Sequence, residues 1–180
     1  MAYNLINTQK TLERFRDYVI QQSRTNLTKG DKNVTSELYT KLKGDVKAMP
    51  NSIGVYFEMP AYGQFQDKGV KGKFSSLKAP NSPFKFGSGT GKKGGLTEGI
   101  NKWVKARRIQ FKRKDGKFMS YESTAFLITR SIYAKGIRPS LFFTKPFEAG
   151  YKKYITEDLI KGFALDVEDL MKTSLKDIKK

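Results

Sequence analysis

The residues that could do chemistry in this sequence are carboxylates, lysines, serines and tyrosines, because it contains no His and no Cys. The absence of His removes the most frequent general base near neutral pH and a common metal ligand. Carboxylate oxygens alone can still hold Mg²⁺ for a metal-dependent nuclease. The acidic residues that could do so cluster near the C-terminus and are Glu157, Asp158, Asp166, Glu168 and Asp169.

These carboxylates are also typical of the solvated face of a helix. Asp158 precedes Lys161 by three residues and Glu168 precedes Lys172 by four, and opposite charges at these spacings stabilise a helix surface. We favour this interpretation, so we predict no enzyme activity, no cofactor, and no catalytic or metal-binding residues. A metal-dependent nuclease stays open as the third hypothesis.

Positive charge dominates the composition, with 35 Lys or Arg against 17 Asp or Glu and a net charge of +18 at pH 7. A balance this basic implies an anionic partner, which could be nucleic acid, a membrane surface or an acidic protein face. No apolar run approaches the roughly 18 residues of a membrane span. The N-terminus lacks the basic and apolar regions of a signal peptide. We therefore expect no membrane partner and no export.

The charge is densest at a predicted β-hairpin over residues 109–120. Its centre is Asp115-Gly116, the strongest short-range signal for a hairpin turn. Cations at such a tip can neutralise phosphates with little sequence preference. The candidates for contact with DNA or with an acidic partner are Arg107, Arg108, Lys112, Arg113, Lys114 and Lys117. A hairpin that is merely solvated is the alternative.

The glycine-dense stretch 87–95 has some features of a phosphate-binding loop but departs from that motif. With Gly91-Lys92 as the Gly-Lys pair, Phe86 stands where the leading glycine belongs, and Lys93 replaces the Ser or Thr that binds magnesium. We predict an exposed loop and no nucleotide site.

The elements that would position these residues form an α+β fold in a single domain over residues 1–180. The predicted N-terminal helix begins at Asn7 or Thr8 as its N-cap and stops at Gly30. Residues 45–49 and 53–59 form a hairpin, because the second run is β-branched and aromatic. This small antiparallel sheet packs against the N-terminal helix and a long C-terminal helix. A short helical segment follows the sheet and ends at Gly69.

A helical insertion at about 71–135 separates the hairpin from the C-terminal helix. It comprises the glycine-rich loop, a helix over 96–108 capped by Thr97, the basic hairpin, and a helix from Ser120 or Ser123 to Lys135. We expect Trp103 to pack in the core. We also expect Phe126 and Leu127 to widen the apolar stripe of the second inserted helix.

An aromatic corner at 136–154 leads from the insertion into the C-terminal helix. Gly136 ends the preceding helix because it tolerates positive φ, and Pro139 keeps the chain extended. The C-terminal helix is predicted as one rod over about 145–178, roughly 50 Å long at 1.5 Å per residue. Gly162 is its candidate bend. A rod of this length should present part of its apolar face to another chain.

This order of parts resembles the tail-completion, or head–tail joining, proteins of tailed bacteriophages. Their first hallmark is Tyr-Ala-x-x-x-Glu-x-Gly, which Tyr62, Phe65 and Gly69 match, with Gly63 in place of Ala and Gln66 or Asp67 near the Glu position. Their second is Pro-x-Pro-Phe-hydrophobic-x-Pro-Ala. The residues that match it are Pro139, Leu141, Phe142, Phe143, Pro146, Phe147 and Ala149. A tail terminator, another ring-forming neck protein, would look similar.

The resemblance implies a virion structural protein, made in the bacterial host cytoplasm, that forms a homo-oligomeric ring with cyclic symmetry. The ring would lie at the neck, between the portal or adaptor and the tail proteins, around genomic DNA in its lumen. The predicted contacts with neighbouring subunits are Tyr62, Phe65, Pro139, Leu141, Phe142, Phe143, Pro146 and Phe147. The alternative function is nucleic-acid binding through the hairpin at 109–120.

Overall fold

The computed structural model describes residues 5–30, 36–49, 52–88 and 95–178. The α+β fold is confirmed. The predicted glycine-rich stretch 87–95 falls largely outside these residues, as do Pro50 and Asn51 between the two runs of the predicted hairpin. No helix in the described residues is long and apolar enough to span a membrane.

The chain forms two compact units. Unit 1 contains Met1–Gly30, Glu37–Pro60 and Phe142–Lys180, and unit 2 contains Asp31–Ser36 and Ala61–Leu141. The predicted insertion at about 71–135 falls within unit 2, and the single-domain organisation stays a prediction.

Unit 1 begins with helix α1, Ile6–Lys29. Its apolar stripe repeats every three to four residues, so one face is buried, and Leu12, Phe15 and Val19 lie on that face. The predicted N-caps are wrong. Asn7 and Thr8 lie inside the first turn of α1. Leu5, which stands at the N-cap position, makes no side-chain cap.

The small sheet of unit 1 confirms the predicted hairpin. A short helix α2, Glu37–Lys41, leads into strand β1, Lys43–Met49, which pairs antiparallel with β2, Ser52–Glu58. Strand β1 lies close to α1: a side chain at Gly44 would meet Arg16 and Ile20. The glycine therefore lets the sheet approach the helix.

Phenylalanine rings fill the space between α1, the sheet and the aromatic corner. Phe15 meets Phe147 edge to face, with ring centroids 5.4 Å apart, and Phe57 meets Phe143 in the same way at 5.3 Å. Such pairs contribute about 0.5–1.5 kcal/mol beyond the area that they bury. The part of the aromatic corner from Phe142 onward is therefore a structural element of unit 1.

The C-terminal rod is interrupted, so the prediction of one helix over 145–178 is wrong. Helix α6, Thr144–Gly150, runs into a π-helical turn, Tyr151–Ile155, and α7, Asp158–Ile178, begins after it. Gly162, the predicted bend, lies inside α7, and the bend itself stays a prediction. A Cβ there would stand 3.1 Å from the Asn7 carbonyl oxygen, so this glycine serves close packing against α1.

The longer segment of unit 2, Ala61–Leu141, begins with the predicted short helix, α3, Tyr62–Lys68, which ends at Gly69 with φ of 70°. Strand β3, Val70–Lys71, pairs antiparallel with β4, Gly136–Ile137. Gly136 also ends helix α5, Tyr121–Lys135, with φ of 85°, as predicted. Side chains at Gly72 or Gly136 would collide with neighbouring backbone, so unit 2 depends on backbone segments in close contact.

Helix α4, Gly95–Ala106, packs against α5. Ser120 caps α5 by accepting a hydrogen bond from the Ser123 amide, which confirms one of the two predicted caps. Three predictions fail here. Thr97 lies within α4 and is not its cap. Trp103 is 37% exposed, because the neighbouring Val104 fills the buried position of α4. Phe126 and Leu127 are exposed, because Thr124 and Ala125 form the buried side of α5.

Candidate functional surfaces

The predicted basic hairpin exists as a tight loop held by a single β-bridge between Lys112 and Phe118. The Gly116 amide donates to the Arg113 carbonyl at 3.0 Å, and the Arg113 amide donates to the Lys117 carbonyl at 2.9 Å. Gly116 has φ of 81°. This arrangement is a three-residue hairpin loop, a type I turn followed by a residue in the left-handed region. The Asp-Gly signal is confirmed, although extended strands do not form.

All six predicted contact cations are exposed: Arg107, Arg108, Lys112, Arg113, Lys114 and Lys117. Among the described residues, no ion pair joins Lys112, Arg113 or Lys117 to a carboxylate. The only acid in the loop is Asp115, whose Oδ1 accepts a hydrogen bond from the Lys117 amide at 3.1 Å. The contact of the six cations with DNA or an acidic partner stays a prediction.

The eight predicted interface residues divide between the two units. In unit 2, Tyr62 and Phe65 are exposed on α3, where the Phe65 ring meets Phe84 edge to face at 4.7 Å. Pro139 lies against Gly69. The Leu141 amide donates to the Asp67 carbonyl at 3.0 Å, so the chain after Pro139 is bound to α3 through its backbone.

In unit 1, the remaining four residues belong mainly to the interior. Phe142 is 1% exposed and packs with Leu27 and Leu38, and Pro146 is also buried. Phe143 and Phe147 belong to the ring cluster described above, and Phe147 retains partial exposure. Phe142 and Pro146 are thus committed to packing within their own chain. The subunit-contact role of the other residues stays a prediction.

Asp166 corrects the prediction of a wholly solvated acidic face. It is 2% exposed and lies against the N-terminus of α1. Its Oδ1 accepts hydrogen bonds from the Asn7 amide and Asn7 Nδ2, both at 2.9 Å. Its Oδ2 accepts from the Thr8 amide at 2.8 Å and the Thr8 hydroxyl at 2.7 Å. A carboxylate from the far end of the sequence therefore caps α1.

The electrostatics of this contact favour ionised Asp166. Burial by itself raises the pKa of the carboxyl group, but the hydrogen bonds from the Thr8 and Asn7 amides and side chains outweigh it and hold the pKa below its ordinary value. The positive end of the helix dipole acts in the same direction. All four acceptor positions of the carboxylate are in use, so Asp166 is unavailable as a metal ligand in this arrangement.

The other acidic residues mostly form surface pairs. Glu168 accepts from Lys172 at 2.6 Å, as predicted, and this contact lowers the pKa of Glu168. Lys161 pairs with Glu157 at 3.8 Å and not with Asp158, which corrects that prediction. The described part of the chain contains no group of three or more acidic residues placed to hold a metal ion. The nuclease hypothesis therefore gains no site from these residues.

The C-terminal helix was predicted to keep part of its apolar face open to another chain, and α7 does carry exposed apolar residues. Gly162 and Asp166 turn toward α1, and the opposite side of the helix carries large side chains in solvent. These exposed residues are Ile160, Phe163, Met171 and Leu175. Their spacings of three, eight and four residues place them on one side of the helix, with Val167 among them. Leu165 is also exposed, but it lies on the polar side beside Lys161 and Lys172.

The sequence matches no protein-family model and no curated protein. The comparison with solved structures also found no match. The resemblance to tail-completion proteins consequently rests on the residues quoted for it above.

Proposed function

We propose that this chain is a structural protein that assembles with copies of itself, with the apolar face of α7 in the contact between subunits. The observation that carries the proposal is the run of large apolar side chains along α7 on the side away from α1. Burying apolar surface contributes about 25 cal/mol per Å² removed from water. A contiguous exposed patch of this kind is typical of a protein–protein contact.

The proposed setting is the neck of a tailed phage, where a ring of copies joins the portal or adaptor of the head to the tail. Two features support this setting: the order of parts that resembles tail-completion proteins, and the net charge of +18, which suits a ring around DNA. A ring is built from heterologous contacts, in which each chain uses two different faces. The α7 face would supply one of them.

A test of assembly compares Met171→Glu with Leu165→Glu, which add the same charge to two different sides of α7. The measurement is the solution mass by sedimentation at about 0.5 M salt, where the Debye length of roughly 4 Å screens the repulsion between copies. We expect wild type and Leu165→Glu to form oligomers and Met171→Glu to stay monomeric. Equal masses for all three chains would contradict the proposal.

A test of the setting asks where the chain lies in the phage that encodes it. We expect an antibody against the chain to label the junction of head and tail in electron micrographs. We also expect disruption of the gene to leave filled heads and separate tails. Labelling elsewhere, or normal joined particles without the chain, would contradict the phage-neck setting while leaving self-assembly open.

A second candidate function is nucleic-acid binding by the hairpin, favoured by its exposed cations Lys112, Arg113 and Lys117, which pair with no carboxylate among the described residues. The test is the affinity for a DNA fragment as salt is raised. We expect binding that weakens with salt and is reduced by Arg113→Ala together with Lys114→Ala. Binding that does not respond to either change would contradict this candidate.

A further inference from the structure

The hairpin brings like charges together at its tip. Arg113 and Lys117 are a directly opposed pair across the loop, joined through their backbone at 2.9 Å. Like charges directly opposite each other destabilise a hairpin. Among the described residues no carboxylate pairs with either side chain. An anion bound between them would remove this repulsion, which is the first indication of a ligand.

The hairpin also exposes an aromatic ring on each of its two faces. The bridge between Lys112 and Phe118 places these two side chains on one face, where the Lys112 ammonium lies 5.3 Å from the Phe118 ring centroid. Backbone hydrogen bonds pair Phe111 with Met119 and Arg113 with Lys117 on either side of this bridge. Side chains alternate across such paired residues, so Phe111 shares the other face with Arg113. Phe118 is 62% exposed and Phe111 is 41% exposed. Each face therefore combines an exposed ring with at least one cation.

Exposed rings beside cations suit one class of polyanion. Duplex DNA presents phosphates but keeps its bases stacked, so the rings would gain little from it. A single strand offers phosphates together with unstacked bases, which can stack on exposed aromatic rings. An acidic protein face would satisfy the cations and leave the rings without a specific partner.

We infer that the hairpin at 109–120 binds single-stranded nucleic acid, with bases stacked on Phe111 and Phe118 and phosphates held by Lys112, Arg113 and Lys117. This inference rests on the second candidate function, nucleic-acid binding. It is independent of the α7 contact. Every base has a face that can stack, so the binding is insensitive to sequence.

The test measures binding of the full chain to three fluorescein-labelled probes by anisotropy: an oligothymidylate, a mixed-sequence single strand, and a duplex of the same length. We expect both single strands to bind at least tenfold more tightly than the duplex. Equal affinity for the duplex would overturn the single-strand inference and leave nucleic-acid binding standing. No binding to any probe would overturn both.

Variants of Phe118 separate stacking from apolar contact. Phe118→Leu keeps an apolar side chain without an aromatic face, and Phe118→Trp enlarges that face. We expect Phe118→Leu to weaken single-strand binding about tenfold, which corresponds to about 1.4 kcal/mol. Phe118→Trp should bind single strands as tightly as wild type or more tightly. If both variants bind like wild type, stacking on Phe118 is overturned.

The salt dependence distinguishes the roles of rings and cations. Each phosphate contact contributes about 0.7 to the slope of log affinity against log salt for single strands. Arg113→Ala should therefore lower the slope by about 0.7, whereas Phe118→Leu should lower the affinity and leave the slope unchanged. Competition by polyglutamate as effective as that by an unlabelled single strand would overturn the inference in favour of an acidic protein partner.

Phe74→Leu provides a matched control, because Phe74 is an exposed ring of unit 2 that also lies beside a lysine, with the Lys73 ammonium 5.5 Å from its centroid. We expect this variant to bind single strands as wild type does, and circular dichroism checks that every variant is folded. A loss with Phe74→Leu equal to the loss with Phe118→Leu would overturn the assignment to the hairpin.

Discussion

The two units exclude water from their interiors in different ways. In the described part of unit 1 the buried apolar residues are large: Leu12, Phe15, Val19, Leu27, Leu38, Leu42 and Phe142. In the described part of unit 2 they are Val70, Ala79, Val104 and Ala125. Unit 2 instead brings backbone together, at Gly69, Gly72 and Gly136, where a side chain would collide with neighbouring main-chain atoms.

The two units also differ in net charge. Unit 2 holds 19 Lys or Arg against 5 Asp or Glu, a net charge of +14, and unit 1 holds 16 against 12, a net charge of +4. Self-repulsion on this scale destabilises a compact unit. The comparison indicates that unit 1 is organised around its own core, and that unit 2 has more to gain from an anionic partner.

The largest expected effect tests the backbone packing of unit 2. Gly136→Ala should cost about 3 kcal/mol or more, because it places a side chain at φ of 85° and against the Val70 carbonyl and the Gly72 amide. Urea unfolding followed by the fluorescence of Trp103, the only Trp and a residue of unit 2, measures it.

Gly116→Ala is the control for that prediction. Gly116 has a similar φ of 81°, but a Cβ added there would meet no atom within 4 Å. It should cost about 1 kcal/mol, from backbone conformation alone. If both substitutions lower the free energy of unfolding equally, close packing around Gly136 contributes nothing to the loss at that position.

The next effect tests unit 1. Asp166→Ala should destabilise the chain by about 3 kcal/mol, because it removes a buried ionised acceptor and leaves the first amides of α1 without partners. Thermal or urea unfolding by circular dichroism measures the loss. Glu168→Ala, which removes an exposed i,i+4 pair from the same helix, should cost much less. Similar losses would rule out the capping role.

The same carboxylate predicts an acid-sensitive stability. The pKa of Asp166 is lower in the folded state than its unfolded value of about 3.9, so the unfolded chain binds more protons. Its contribution is present above about pH 4 and is lost as the pH falls toward the folded pKa. Asp166→Asn should lower the stability at neutral pH and reduce the further loss of stability below about pH 4. If the stability of this variant falls as steeply with decreasing pH as that of wild type, other groups cause the pH dependence.

The smallest effect compares a helix glycine from each unit. Gly99→Ala in α4 should stabilise by about 1 kcal/mol, because the new methyl group meets no atom within 4 Å and alanine favours the helix. Gly162→Ala in α7 should lose that gain, because its Cβ lies 3.1 Å from the Asn7 carbonyl oxygen and 3.3 Å from Thr11 Oγ1. Equal midpoint shifts on thermal unfolding would show that α1 and α7 have room to separate.

Local rules predicted the elements whose cause lies within a few residues. The hairpin of β1 and β2, the end of α3 at Gly69, the Ser120 cap, the end of α5 at Gly136 and the Asp115-Gly116 turn each follow from nearby residue types. The candidate cations of the hairpin were visible for the same reason. The pairing of the Phe118 ring with Lys112 was not, because it depends on the observed register.

The sequence by itself determined the α+β class, most of the elements, the excess of positive charge and the absence of His and Cys. Only the tertiary structure decided that Asp166 caps a helix 158 residues away, that Gly162 serves close packing, and that Trp103 and Phe126 face solvent. A residue's type sets what it can bond to, and its neighbours in sequence set the local backbone. Which face of a helix becomes buried depends on the elements that pack against it, and no short stretch of sequence contains that information.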